Sequence, residues 1–459
     1  MKNVLLTQLA ESQQNRLLAA LKENICIPSF NGPAVEGAPY GKGIRDCLDH
    51  ALSVAHDLGF ATGKIDHQVG WCEYGTGDEM IAVLGHLDVV PPGEGWETPP
   101  FQPVIRDGKL FGRGTTDDKG PVFAALFALA ALRESGLPVR RRIRIMFGTD
   151  EELDCRDMAA YHARGGEIPK WGFTPDSRYP LTNGEMGSVT DEYRLVFHQT
   201  GPLRLLRFDG GNEADMVPEY AEAAFACSSA LAERLVRENG TERVSFVQTE
   251  EGFLVKSRGL SAHGSSPGEG VNAVCLLFCA LEKLPVAEAL LPAIRFLATT
   301  IGTETDGRML GLELKDPFSS FMLNVRELHA DETSLSIAIN YRYPVLREAD
   351  ECIPVIERQF RAAGFSLKKR NHNKKFYFPE DDELVRILLG VYRDHTGDIR
   401  GPVVEAGGTY AKYLPNILPF GAVFPGDEVT WHEKNEYVRL DRLAQTTAIY
   451  ADALYRLAK

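Results

Sequence analysis

Positive charge is scarce in this chain: 50 lysines and arginines stand against 64 aspartates and glutamates, a formal net charge of −14. That deficit argues against a nucleic-acid partner, because neutralising phosphates requires a basic stripe. Long hydrophobic runs are missing too. The longest near-apolar stretch, Pro121 to Leu132, is well short of the roughly 20 residues that cross a bilayer, so no membrane partner is expected. The opening MKNVLLTQLAESQQNR has an apolar core too short for a signal peptide, and no small-residue cleavage site follows, which points to the cytoplasm. The eight cysteines form no CxxC pair. Cys275 and Cys279, four apart in a helix-like segment, read as buried thiols. Internal repeats, low-complexity tracts and blocks of like charge are absent.

What the chain does have is length and apolar material. With 459 residues, 44% hydrophobic and 25% charged, it has the composition of a globular protein of more than one domain. The first part alternates strand and helix signals. IAVLG (81–85) is an apolar run ending in a polar HLD, the apolar segment after Lys119 reads as a buried-face helix, and strands are predicted at 142–148 and 171–174. This rhythm predicts an α/β fold with a doubly wound sheet. Near residue 186 the texture changes to strand-like pieces (DEYRLVFHQ, GFLVKSRG, SLSIAINYRYP) among helices such as 228–239 and 349–363, which predicts an inserted α+β domain with an antiparallel sheet. Helical signals return with DDELVRILLGVYRDHTG and after Val438. Residues 1–185 and 379–459 are therefore expected to form one discontinuous domain, interrupted by a second at 186–378.

In α/β sheets functional groups gather at the carboxyl ends of strands, and four polar clusters fall there or close by. His86 and Asp88 follow the IAVLG strand, Asp117 and Asp118 precede a helix, Glu151 and Glu152 end the RIMFGTDEE strand, and Asp176 follows WGFTP. Taken singly, each has a bland reading: a hydrogen-bonded turn histidine, an N-cap aspartate, a solvated glutamate pair. Together they match what borderline divalent cations want, carboxylate oxygen with imidazole nitrogen. Asp88, two residues from His86 on the same side of an extended chain, is placed to fix the imidazole tautomer.

The segments GHLDVVPPGEGW, LFGRGTTDDKGP, GTDEE and FTPDSRYP, followed by SAHGSSPGEGVNA, INYRYP, EAGGTYAKY and WHEKNEY, together resemble the dinuclear zinc peptidases. That family includes aminoacylase, carboxypeptidase G, succinyl-diaminopimelate desuccinylase and the PepV-type dipeptidases. The resemblance implies a zinc-peptidase catalytic domain interrupted by a lid, and two Zn²⁺ per chain, with Mn²⁺ as an alternative. His86 and Asp176 would ligate one metal, Glu152 and His432 the other, with Asp117 bridging through a cis peptide to Asp118. Glu151 matches the general base, with Asp88 beside the histidine ligand. His263 matches the lid histidine that stabilises the oxyanion, and Arg342 the guanidinium that grips the substrate carboxylate. Gly407, Gly408 and Thr409 would bring backbone amides to the same group. The implied activity is hydrolysis of dipeptides with free N-termini.

The insertion is as long as the enlarged lid of PepV-type members, which supply the oxyanion histidine within one chain; dimeric members carry shorter lids and borrow it from a partner subunit. A monomer is therefore expected. One position departs from the family pattern: GGNEADMVPEY places Asp215 where the family has a substrate-binding Asn, leaving Asn212 to compensate or Asp215 to pair with Arg342. Two other readings stay open, an N-acyl amino-acid deacylase and a non-catalytic relative that binds metal or peptide.

Overall fold

The structure, a computed structural model, describes residues 1–211, 216–286 and 289–459. Asn212 and Asp215 lie outside the described residues. The chain divides into two compact units: Met1–Gly184 with Phe378–Val403 and Gly408–Lys459, and Glu185–Tyr377 with Val404–Gly407.

The first unit is built on a six-stranded sheet. Its central strand, Met80–His86, is buried at every position, as expected of a strand covered on both faces. Arg142–Gly148 and Trp171–Thr174 flank it in parallel, and Ile417–Pro419 adds parallel to the latter. The sheet is mixed rather than purely parallel. Val69–Tyr74 pairs antiparallel with Arg142–Gly148, and Ala61–Ile65 forms a hairpin with it. Gly172 marks a close approach between paired strands: a Cβ there would sit 2.1 Å from the Ala82 carbonyl oxygen.

The helix Lys119–Ser135 is buried from Lys119 through Leu132 and stops at Gly136, whose left-handed φ of 64° closes it. Its alanines allow close packing against the last helix, Leu440–Ala458, and against Val4–Ser12 and Gln14–Ile25. Rings of Phe173, Phe420, Tyr179, Phe424 and Tyr450 fill the space under the parallel strands, with centroids as close as 4.6 Å. Such contacts add to plain burial. Among the described residues no helix is long and apolar enough to cross a membrane.

The second unit carries an eight-stranded sheet with antiparallel pairings, running Val244–Gln248, Gly252–Arg258, Tyr220–Cys227, Leu203–Gly210, Met322–Ala330, Ser334–Tyr343, Gly187–Val196 and Ser366–Asn373. Gly187–Val196 alternates buried with more exposed positions, the period-2 pattern of a strand with one core face. Helices such as Ala273–Leu281 and Ile353–Ala362 contribute to the core, where the Phe360 ring stacks on Tyr193 at 4.1 Å. Buried Asp191 is fully served: it accepts from Arg370 Nε (2.6 Å) and Nη2 (2.8 Å) and from the Tyr193 and Tyr341 hydroxyls.

Candidate metal centre

The carboxyl ends of the three adjacent parallel strands each deliver an ionisable group. Met80–His86 ends on His86, the turn after Arg142–Gly148 carries Glu151 and Glu152, and Asp176 follows Trp171–Thr174. The strand ends at Gly148, as its predicted range has it, and the chain turns before the two glutamates. The Thr149 and Met158 amides donate to buried Asp157, as does the Tyr410 hydroxyl, and these bonds fold the turn back. Tyr410 also lays its ring edge-on to the His86 imidazole, centroids 6.3 Å apart.

Asp117 comes from the loop ahead of the Lys119–Ser135 helix, and its peptide bond to Asp118 is cis. Its two carboxylate oxygens face two histidines. Oδ1 lies 3.0 Å from His86 Nε2, and Oδ2 lies 3.1 Å from His432 Nε2. His432 Nε2 is also 3.0 Å from Glu152 Oε2, while His86 Nε2 is 3.6 Å from Asp176 Oδ2. The structure thus gathers His86, Asp117, Glu152, Asp176 and His432. Glu151 joins them, with a carboxylate oxygen within reach of the same centre as His86 and Asp176.

Two neighbours behave differently from the sequence expectation. The His86 Nδ1 proton goes to the Asp88 backbone carbonyl at 2.9 Å, with the Asp88 carboxylate farther away at 3.5 Å. That carboxylate instead accepts the Glu152 amide at 3.0 Å, because the turn after the neighbouring strand brings this N–H to it. Asp118 occupies the N-cap position of its helix without capping it, and its Oδ2 accepts the His86 amide at 3.1 Å.

The electrostatics demand a cation. With Nδ1 donating to a carbonyl, His86 turns its other nitrogen toward two carboxylates, and that buried Nε2 has no hydrogen-bond partner. A neutral imidazole would there face acceptors with a lone pair, so a proton or a metal ion must sit between them. Burial pushes Glu151 well above the usual carboxylate range, reinforced by Asp176, and raises Glu152 to about 7, reinforced by Asp117. Burial and Asp117 also raise Asp176. Desolvation opposes the charge on His432, yet the Asp117 and Glu152 carboxylates lift it to about 11. Crowded carboxylates around two imidazole nitrogens are the signs of a site built around positive charge. The mixed nitrogen and oxygen donor set fits Zn²⁺ or Mn²⁺.

Residues 82–456 match Peptidase family M20/M25/M40. The chain belongs to this family. Membership makes it a metal-dependent hydrolase acting on peptide bonds. It is similar to the "Putative dipeptidase" of Staphylococcus epidermidis (strain ATCC 12228 / FDA PCI 1200), 33% identical over 468 residues and covering 97% of both chains. It is also similar to a Bacillus subtilis (strain 168) protein named "Putative dipeptidase YtjP", 35% identical over 437 residues and 92% of both. The solved structure of human carnosine dipeptidase 1 shares the fold, with a TM-score of 0.58 at 14% identity over 98% of each chain.

The remaining residues singled out from sequence are described within their own units. His263 and Arg342 belong to the second unit. His263 Nδ1 is 2.6 Å from Ser265 Oγ. Arg342, 6% exposed on the Ser334–Tyr343 strand, donates through Nη1 to the Ala406 carbonyl. A Cβ at Gly407 would meet nothing within 4 Å, whereas one at Gly408 would press on Lys412 Nζ at 3.1 Å. Thr409 spends its hydroxyl capping the short turn Tyr410–Lys412. Sequence reasoning passed over Glu436, Arg113, Tyr410 and Asp157. Three of them stand inside quoted motifs, Arg113 in LFGRGTTDDKGP, Tyr410 in EAGGTYAKY and Glu436 in WHEKNEY, but their roles went unread.

Proposed function

We propose that this family member is a dipeptidase using two divalent ions, Zn²⁺ or Mn²⁺, to hydrolyse short peptides with free N-termini. The observation that carries the reading is Asp117, whose two oxygens each face a different histidine. His86 and Asp176 would complete one ion's set and Glu152 and His432 the other's, with Asp117 common to both. Bound ions supply Lewis acidity to the scissile carbonyl and make the attacking water more acidic.

Glu151 accepts the proton of the attacking water and returns it to the leaving amine. Asp88 holds His86 in one tautomer through its carbonyl and positions Glu152 through its carboxylate. In the second unit, proposed to be a lid, His263 donates to the oxyanion and Arg342 holds the substrate's C-terminal carboxylate. The open space at Gly407 supports backbone approach to that carboxylate. The length of the insertion supports a PepV-type arrangement, in which one chain supplies both units' groups.

The names carried by the bacterial relatives support a dipeptidase over a deacylase. A panel of free dipeptides against N-acetyl amino acids tests the choice directly. Dipeptides are expected to turn over faster; preference for the acylated compounds would make the chain a deacylase. No turnover of either by metal-loaded protein would make it a non-catalytic binder. A second reading of one residue has an observation behind it: Glu151 lies close enough to His86 and Asp176 to ligate. Metal content of Glu151→Gln separates ligand from base.

A further inference from the structure

The loop that carries Asp117 contains neither helix nor strand between Phe111 and Lys119, so its amides need partners from elsewhere. One side chain serves three of them. Glu436, fully buried, accepts through Oε2 from the Gly114 amide (3.0 Å) and Arg113 Nη1 (2.8 Å). Its Oε1 accepts from the Thr116 amide (2.8 Å), the Thr116 hydroxyl (3.0 Å) and the Asp117 amide (3.2 Å). Arg113, 1% exposed, then reaches with Nη2 to the His432 carbonyl at 3.3 Å. His432 itself has a φ of +61° and a side chain half exposed to solvent, so this bond to its carbonyl helps hold its backbone.

A buried ion pair is weak evidence for stability, since a well-packed apolar pair of similar volume often serves as well. What an apolar pair could not do is fix three consecutive-loop amides and a histidine carbonyl against one another. Charge-assisted bonds of this kind are short and directional. We propose that Glu436, with Arg113, is a positioning residue for the metal centre. Its carboxylate sets the Asp117 loop against the His432 segment, so that both present their donor atoms at the spacing an ion needs. The proposal rests on Asp117 and His432 being metal ligands.

The test compares full-length wild type, Asp117→Ala and Glu436→Gln after metal removal, measuring Zn²⁺ affinity by competition with a chelating indicator and folding by circular dichroism. Glu436→Gln keeps an acceptor oxygen but loses the charge; it is expected to stay folded and bind Zn²⁺ at least about tenfold more weakly, with part of its activity returning at excess Zn²⁺. A merely structural role would not move affinity in a folded variant. If Glu436→Gln does not fold, the double variant Arg113→Met with Glu436→Leu leaves no unpaired buried charge, and it too must bind more weakly. Wild-type affinity in either folded variant overturns the proposal. Wild type that binds no Zn²⁺, or an Asp117→Ala variant that binds it normally, overturns the ligand reading instead.

Discussion

Asp157 has a carboxyl that burial pushes up to about 7, above its ordinary 3.8. Unfolded, the group titrates near its ordinary value, so between about pH 4 and 7 the folded state holds an extra proton. Its contribution to stability therefore falls as pH rises through that window and levels off above it. Asparagine does not titrate. The stability of the chain relative to Asp157→Asn should thus be greater at pH 5 than at pH 8, read as denaturant midpoints of metal-free protein; a pH-independent difference would contradict it. Glu151 and Glu152 allow a paired prediction. Glu151→Gln should keep its metal and lose about 10²–10⁴-fold in turnover, whereas Glu152→Gln should lose metal. A Glu151→Gln variant with half its activity left would rule out the base. The clustered residues of the first 176 positions were legible because three of their groups follow apolar strand runs and the fourth, Asp117 with Asp118, precedes an apolar helix. Asp157, Tyr410 and Glu436 were not, since their partners lie 253 and up to 323 positions away and only the fold makes them neighbours.

Elements show the same division. The strands at Arg142–Gly148 and Trp171–Thr174 have the predicted boundaries, because each is a compact apolar run bounded by turn residues. The hairpin Ala61–Ile65 with Val69–Tyr74 went unread: its outer strand is mostly exposed and has no buried face to leave a periodic pattern. Packing between strands is equally silent in sequence. Gly172 lies inside a predicted strand with nothing in the sequence to mark it out, yet a Cβ there would collide with the Ala82 carbonyl, and a neighbouring backbone cannot rotate away as a side chain can. Gly172→Ala should cost about 1–3 kcal/mol, as overpacking does. Urea unfolding measures it; an unchanged midpoint would mean the two strands can separate freely.

At the scale of the whole molecule, a chain of the proposed PepV-type arrangement would supply the groups of both units by itself. It should be active as a monomer, and mixing inactive His263→Ala with inactive Glu151→Gln should restore nothing. Recovered activity on mixing would mean that the histidine crosses between subunits. The chain order of the metal centre has a further consequence, in time rather than space. Four of its segments lie between His86 and Asp176, but His432 and Glu436 follow only after the whole second unit. At roughly 5–20 residues per second of synthesis, the ribosome needs on the order of 10–50 s to travel from Asp176 to His432. Throughout that interval the acids of the centre have been made and its second imidazole has not. On the proposed reading, hydrolytic competence waits for His432, long after the other donors have left the ribosome.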